Sequence, residues 1–189
     1  MSKIQTSSGL KYKNQQGVVA IKDGVKKSLD NLSIPSQPKP KWFKVPIPSG
    51  KNYRELLQNI KTHKLNTVCE ESKCPNLAEC WSHKTATLMV LGNVCTRACK
   101  FCAVDTGNPH GWLDPMEPYK TGQSVAFMRL QYVVLTSVDR DDLEDGGANH
   151  IANCVREIKI RNPDVVVEVL SPDFAGSKVS LDVLLASGL

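Results

Sequence analysis

The sequence contains no run of about 18 consecutive apolar residues, so it offers no candidate for a transmembrane helix. Its start, MSKIQTSSGLKYKN, lacks the apolar core of a secretory signal and carries no arginine, which argues against an organelle transit peptide. These absences point to a cytoplasmic protein that does not associate with membranes. Internal repeats are missing beyond an alternation of strand-like and helix-like segments. The four histidines, His63, His83, His110 and His150, share no spacing, and each reads as a surface or loop residue rather than a metal ligand. An even cysteine count is also missing. Seven cysteines without a secretion signal argue against a disulfide scaffold.

What is present fits a soluble globular chain: 189 residues, 41% hydrophobic and 23% charged. The net charge of +5 would suit an acidic partner, an anionic substrate or nucleic acid. The charge is spread along the chain, however, and a solvated surface is the simpler account. Cysteine is the informative residue. Cys69, Cys74, Cys80, Cys95, Cys99 and Cys102 all fall within one short block, and such clustering in a reducing compartment points to metal. Cys154 stands apart, on the apolar face of an expected helix, where a free cysteine packs as a small hydrophobe.

Three regions are expected. Residues 1–50 read as an irregular amino-terminal extension, because Pro35, Pro38, Pro40, Pro46 and Pro48 prevent a continuous helix. Trp42 and Phe43 within it predict an arm lying across the main body. Residues 51–84 form a segment with a helix over about 52–64, where Leu56, Leu57 and Ile60 have helical spacing, followed by the first three cysteines. Residues 85–189 read as strand, loop, helix, strand, helix. The strands are the apolar runs Thr87–Gly92, Tyr132–Thr136 and Val165–Leu170. A helix over 148–161 presents Ile151, Cys154, Val155 and Ile158 on one face, and another contains Leu181, Leu184 and Leu185. Residues 105–121 are polar and turn-rich. The fold class is α/β, with near-continuous apolar strands of the parallel kind. A (β/α) barrel takes about 250 residues, so an incomplete partial TIM barrel is expected, and the chain reads as truncated at Leu189.

The second cysteine triplet, Cys95-Thr-Arg-Ala-Cys99-Lys-Phe-Cys102, has C-x3-C-x2-C spacing and follows an expected strand. Loops at the carboxyl ends of strands are where β/α folds place their chemistry. A cubane iron–sulfur cluster takes four cysteine ligands, so three thiolates leave one iron open to a substrate. Phe101, beside the last cysteine, could shield the site. Zinc is the alternative, although zinc sites more often pair C-x2–4-C arms across a long spacer. Arg97 and Lys100 could favour thiolates or simply face solvent. The first triplet, Cys69, Cys74 and Cys80, has C-x4-C-x5-C spacing, which by itself would serve a structural cluster equally well.

The C-x3-C-x2-C motif resembles that of the radical S-adenosylmethionine superfamily. The run from Val68 through Cys69-Glu-Glu-Ser-Lys-Cys74-Pro-Asn-Leu-Ala-Glu-Cys80-Trp81, the segment Ala86–Gly92, the stretch Tyr132-Val-Val-Leu-Thr-Ser-Val-Asp-Arg-Asp-Asp-Leu143 with Asp145-Gly-Gly147, and Glu168-Val-Leu-Ser-Pro-Asp-Phe174 together resemble the lipoyl synthase family. The resemblance covers nearly all of residues 40–186. It implies two [4Fe-4S] clusters. Cys95, Cys99 and Cys102 would hold the catalytic one, whose open iron chelates S-adenosyl-L-methionine, and Cys69, Cys74 and Cys80 would hold an auxiliary, sulfur-donating one. The implied reaction inserts two sulfur atoms at C6 and C8 of protein-bound octanoyl-lysine, making the enzyme a sulfurtransferase. The implied partners are octanoylated lipoyl-carrier domains (E2 subunits and the glycine cleavage H protein) and an electron donor such as ferredoxin or flavodoxin.

The resemblance also assigns cofactor contacts. Phe101 would pack on the adenine. Ser137, Asp139, Gly146 and Gly147, in the loop after the second strand, would meet the cofactor, with the paired glycines allowing close approach. That loop has a plainer reading, in which Asp145 caps the following helix; as a calcium loop its ligands are out of register. Trp42-Phe43-Lys44 departs from the family pattern, which has an arginine or lysine after a tryptophan and an aliphatic residue, but Lys44 keeps the cation. The family's fourth auxiliary ligand, a serine near the carboxyl terminus, has no counterpart here, so this chain is expected to be inactive by itself. The competing readings are another radical enzyme with an auxiliary cluster, such as a methylthiotransferase, which would want a nucleic-acid-binding module that this sequence does not show, and a non-catalytic iron–sulfur protein, which would close both clusters with four cysteines.

Overall fold

A computed structural model describes residues 6–14, 16–24, 40, 49–72, 74–83, 85, 87–130 and 132–189. The expected packing of Trp42 and Phe43, and the Lys44 departure, lie outside the described residues. The architecture is α/β, with two four-stranded mixed sheets. No helix among the described residues is long and apolar enough to cross a membrane.

The larger sheet carries the expected strands. Its members are β3 (Asn66–Thr67), β4 (Thr87–Val90), β7 (Tyr132–Ser137) and β8 (Val166–Leu170), hydrogen-bonded in that order. β4, β7 and β8 run parallel, with Val90 opposite Ser137 and Thr136 opposite Leu170, so their carboxyl ends share one edge. β3 is antiparallel to β4. Three helices cover one face: α4 (Glu117–Met128), α5 (Ala148–Arg161) and α6 (Lys178–Leu185). α5 has the expected limits and buries Ile151, Cys154, Val155 and Ile158 as one stripe. These side chains meet Val133, Leu135 and Val167 from the sheet in the main core. Cys154 is fully buried there, as a small apolar side chain should be.

The strands are less uniformly buried than their apolar sequences predict. Of the three parallel strands of the larger sheet, only β4 is buried along most of its length. β7 and β8 alternate, with Val133, Leu135 and Val167 under the helices and Tyr132, Val166 and Leu170 on the opposite, exposed face.

α1 (Lys51–His63) follows its expected limits and packs Leu56 and Ile60 inward. Beyond it come two short helices, α2 (Val68–Glu71) and α3 (Leu77–Ser82). Trp81 of α3 is wholly buried, with its ring 5.4 Å from that of Tyr53 on α1.

Two features differ from expectation. Within the segment expected to be irregular, β1 (Lys11–Lys13) and β2 (Val19–Ile21) form an antiparallel hairpin. β2 pairs with β6 (Asp105–Gly107), which runs parallel to β5 (Val94–Cys95), completing the smaller sheet. Residues 11–13 and 19–21 are thus docked onto the body by backbone pairing. Second, α4 arises in a stretch whose start reads as turn. Pro118 sits at the second helical position, where a missing N–H costs no intrahelical bond. Gly122 lets α4 approach α5 closely, since a Cβ there would fall 2.6 Å from the Glu157 carbonyl oxygen.

Candidate metal centre

The loop carrying the second triplet begins where β4 ends. Leu91 (φ 69°) and Gly92 (φ 88°) both turn left-handed, which aims two successive N–H groups at one point. The buried Glu117 carboxylate of α4 accepts both, at 2.9 Å from Leu91 N and 3.4 Å from Gly92 N. His150 Nε2 of α5 lies 2.7 Å from the same carboxylate. Arg140, almost fully buried, donates to the carbonyls of Leu91 (3.1 Å) and Trp112 (2.9 Å) and grips Asp142 with two of its nitrogens. Asp142 also accepts the Gly111 N–H. This polar frame fixes the turn that delivers β5 and Cys95. His150 is therefore a half-buried structural partner, not the surface residue its sequence context predicts.

Cys95 ends β5 at 9% exposure. Its Sγ accepts the Arg97 N–H at 3.4 Å and lies 3.9 Å from Asp139 Oδ2. Cys102 Sγ accepts the Val104 N–H at 3.4 Å, and Cys102 N–H donates to the Cys99 carbonyl at 3.1 Å. Burial pushes the Cys95 thiol up, against the lowering effect of the Arg97 N–H, and the nearby Cys102 thiol adds to the rise. Cys99 is exposed.

Arg97 ties this loop to the ends of two strands. It forks onto Asp141, after β7, with Nη2–Oδ1 at 2.8 Å, and onto Asp173, after β8, with Nη1–Oδ2 at 2.7 Å. Asp139 Oδ1 lies 3.6 Å from Nη1. Arg97 therefore faces carboxylates rather than open solvent. The guanidinium holds Asp173, which is at the surface, down to about 2. Asp139 moves the other way: burial lifts it despite Arg97, and Asp173 and Asp141 add to the lift. Its backbone carbonyl also accepts the Thr96 N–H at 3.0 Å. A cavity of about 320 Å³ opens beside these groups, lined by Arg97, Asp139, Arg140, Gly146 and Phe174 among others.

The expected cofactor contacts divide. Asp139 and Gly146 line the cavity, and Ser137 ends β7, its buried hydroxyl without a partner among the described residues. Phe101 is 93% exposed and shields no cysteine in this structure. Gly147 has a structural explanation. It precedes α5 with φ 87°, and a Cβ there would fall 2.6 Å from Leu91 Cδ1. Asp145 caps α5, accepting the N–H groups of Gly147 and Asn149 at 2.9 Å each.

The first triplet lies on α2, α3 and the turn between them. Cys69 is buried on α2, where the Thr67 hydroxyl accepts the Glu70 N–H as a cap. Cys74 N–H donates to the Cys69 carbonyl at 3.0 Å, and Cys80 follows on α3. Burial raises the Cys80 thiol first, and neighbouring Cys69 and Cys74 raise it further, as expected of three thiols gathered together.

Among the described residues no three cysteine, histidine or carboxylate side chains converge as they would around one metal ion. The six thiols fall into two triplets along the chain, the second with the Asp139 carboxylate 3.9 Å from Cys95 Sγ. That donor set fits iron–sulfur clusters, in which each thiolate takes its own iron. Glu117, Arg140 and the Asp141–Asp173 pair were not legible as site residues, because each acts through a partner more than 20 positions away in sequence or through a backbone group.

The family model for the N-terminal domain of lipoyl synthase of the radical SAM family matches residues 12–74. Lipoyl synthase of Ectopseudomonas mendocina is 55% identical over 183 residues, covering 97% of this chain and 52% of that protein. Lipoyl synthase of Legionella pneumophila (strain Corby) is 57% identical over 187 residues, covering 98% and 56%. That of Marinobacter nauticus is 55% identical over 189 residues, covering 100% and 54%. The chain thus spans about half the length of the curated relatives it matches, and the resemblance to the amino-terminal part of lipoyl synthase extends along nearly all of it.

Proposed function

We propose that the chain is the amino-terminal part of a lipoyl synthase and carries the cysteine triplets of both iron–sulfur clusters of that enzyme on a partial radical-SAM barrel. The observation that carries this reading is identity above half, along nearly the whole chain, to proteins named lipoyl synthase. The reaction is insertion of sulfur at C6 and C8 of an octanoyl chain attached to a carrier-protein lysine. The partners are octanoylated carrier domains and a small electron-transfer protein, and the compartment is the cytoplasm.

Cys95, Cys99 and Cys102 would hold the cluster that binds S-adenosylmethionine, and Cys69, Cys74 and Cys80 the auxiliary cluster. When bound, the first supplies a one-electron route to hydrogen abstraction from an unactivated carbon, and the second supplies sulfur. The chain's own residues prepare the site. Glu117 and Arg140 set the turn that presents Cys95. Arg97 joins the cysteine loop to the loops after β7 and β8, so that three elements share one rim. The Ser137 hydroxyl, buried and unpartnered among the described residues, is available to a polar group of the cofactor. Asp139 and Gly146 line the cavity beside Arg97, and the exposed ring of Phe101 is free to close over an adenine.

The test is anaerobic reconstitution with iron and sulfide, followed by iron counting. The reading predicts about eight irons per chain, four for each cluster. Bound zinc with no iron would overturn it.

A further inference from the structure

The amino-terminal hairpin reaches the ligand loop through one buried carboxylate. Asp105 stands at the start of β6, three residues after Cys102, and is 2% exposed. Its carboxylate accepts the Tyr12 hydroxyl from β1 at 2.5 Å, the Lys22 ammonium at 3.1 and 3.2 Å, and the Asp23 N–H at 2.8 Å. Every donor comes from the hairpin or the turn just after it. Lys22 also lies 3.8 Å from Asp23 Oδ1. A buried carboxylate held by charged and neutral donors in this way is costly to unpair.

Beside this hub the chain is fitted without slack. A Cβ on Gly24, whose φ is 71°, would stand 3.2 Å from the Cys102 carbonyl oxygen and 3.3 Å from that of Val104. Val104 is the residue whose N–H binds Cys102 Sγ. Backbone pairing adds to the clamp, with Ile21 opposite Thr106, and Thr106 opposite Cys95.

We infer that Asp105 is a positioning residue that clamps the amino-terminal hairpin onto residues 102–106, and that the hairpin is thereby a working part of the cluster-binding loop. The inference rests on the proposed function only in taking Cys102 for an iron ligand. The clamp itself belongs to the metal-free chain. Holding Cys102 against the hairpin keeps its sulfur in place before any iron arrives and limits solvent access to one side of the loop.

The experiment is site-resolved thiol alkylation of the metal-free chain, read by mass spectrometry. Cys102 reports the clamp, the exposed Cys99 serves as the fast reference, and Cys154, at 0% exposure, reports global opening. In Asp105→Asn, and to a smaller extent in Tyr12→Phe, Cys102 alkylation should accelerate by about tenfold or more, with Cys154 unchanged, because a lost charged hydrogen bond raises local opening by that order. Asp105→Glu should restore part of the protection. Equal Cys102 rates in the variants and the parent chain, or a parallel rise at Cys102 and Cys154, would overturn the inference. Tyr12→Phe keeps the test valid if Asp105→Asn fails to fold. If iron protects none of the six clustered cysteines while the clamp result stands, the cluster reading fails and the clamp does not.

Discussion

Arg140 and Asp142 show how single residues bear on this site. Neither binds metal in the proposed function, yet their buried, doubly bonded pair joins three segments that approach the cysteine loop. For Asp142, burial works against ionisation, but Arg140 and the Gly111 N–H outweigh it and hold the carboxyl below its usual range. Asp145 is likewise lowered, with burial overcome by the Asn149 and Gly147 N–H groups. A carboxylate lowered in the folded state stabilises it above the unfolded pKa, about 3.9 for aspartate, and that contribution is lost as pH falls through the folded value. Asp139, raised by burial, opposes the trend. The net expectation is a melting temperature that falls steeply below about pH 4, in the window set by these carboxylates, and an Asp142→Asn chain whose fall is shallower. A thermal-shift series across acid pH checks both slopes; identical slopes would remove Asp142 from the account.

At the scale of elements, the three parallel strands were readable as short apolar runs, and helices α1, α5 and α6 because their apolar residues recur with the helical period. The clustering of six cysteines was readable because it is a matter of sequence position alone; their role as ligands belongs to the proposed function. The hairpin and α4 were not. β1 and β2 are three residues each, too short for a period to show, and they depend on pairing with β6 across more than 80 positions. α4 is disguised by Pro118 and Gly122, which look like breakers and act as a first-turn residue and a helix-contact point. The exposed alternate residues of β7 and β8 were hidden for a different reason. An apolar strand reads the same whether one face or both are covered. The Gly122 contact makes its own prediction. Gly122→Ala should destabilise the fold by roughly 1–3 kcal/mol, the usual range for overpacking, despite alanine's better helix propensity. Urea unfolding decides the point, and a gain in stability would show that α4 and α5 have room to part.

For the whole molecule, the arrangement is two thiol groups carried by different supports. Cys69, Cys74 and Cys80 belong to α2, α3 and the turn between them, beside α1, whereas Cys95, Cys99 and Cys102 hang from the β5–β6 edge beside the carboxyl ends of β4 and β7. The central claim is a division of labour: S-adenosylmethionine binds at the cluster of the second group and not at that of the first. Electron paramagnetic resonance of the reduced, reconstituted chain tests it most directly, comparing a variant with Cys69, Cys74 and Cys80 changed to alanine against one with Cys95, Cys99 and Cys102 changed. The account predicts that adding S-adenosylmethionine shifts the spectrum of the first variant and leaves that of the second unmoved. A shift in the second variant, or in neither, would contradict it.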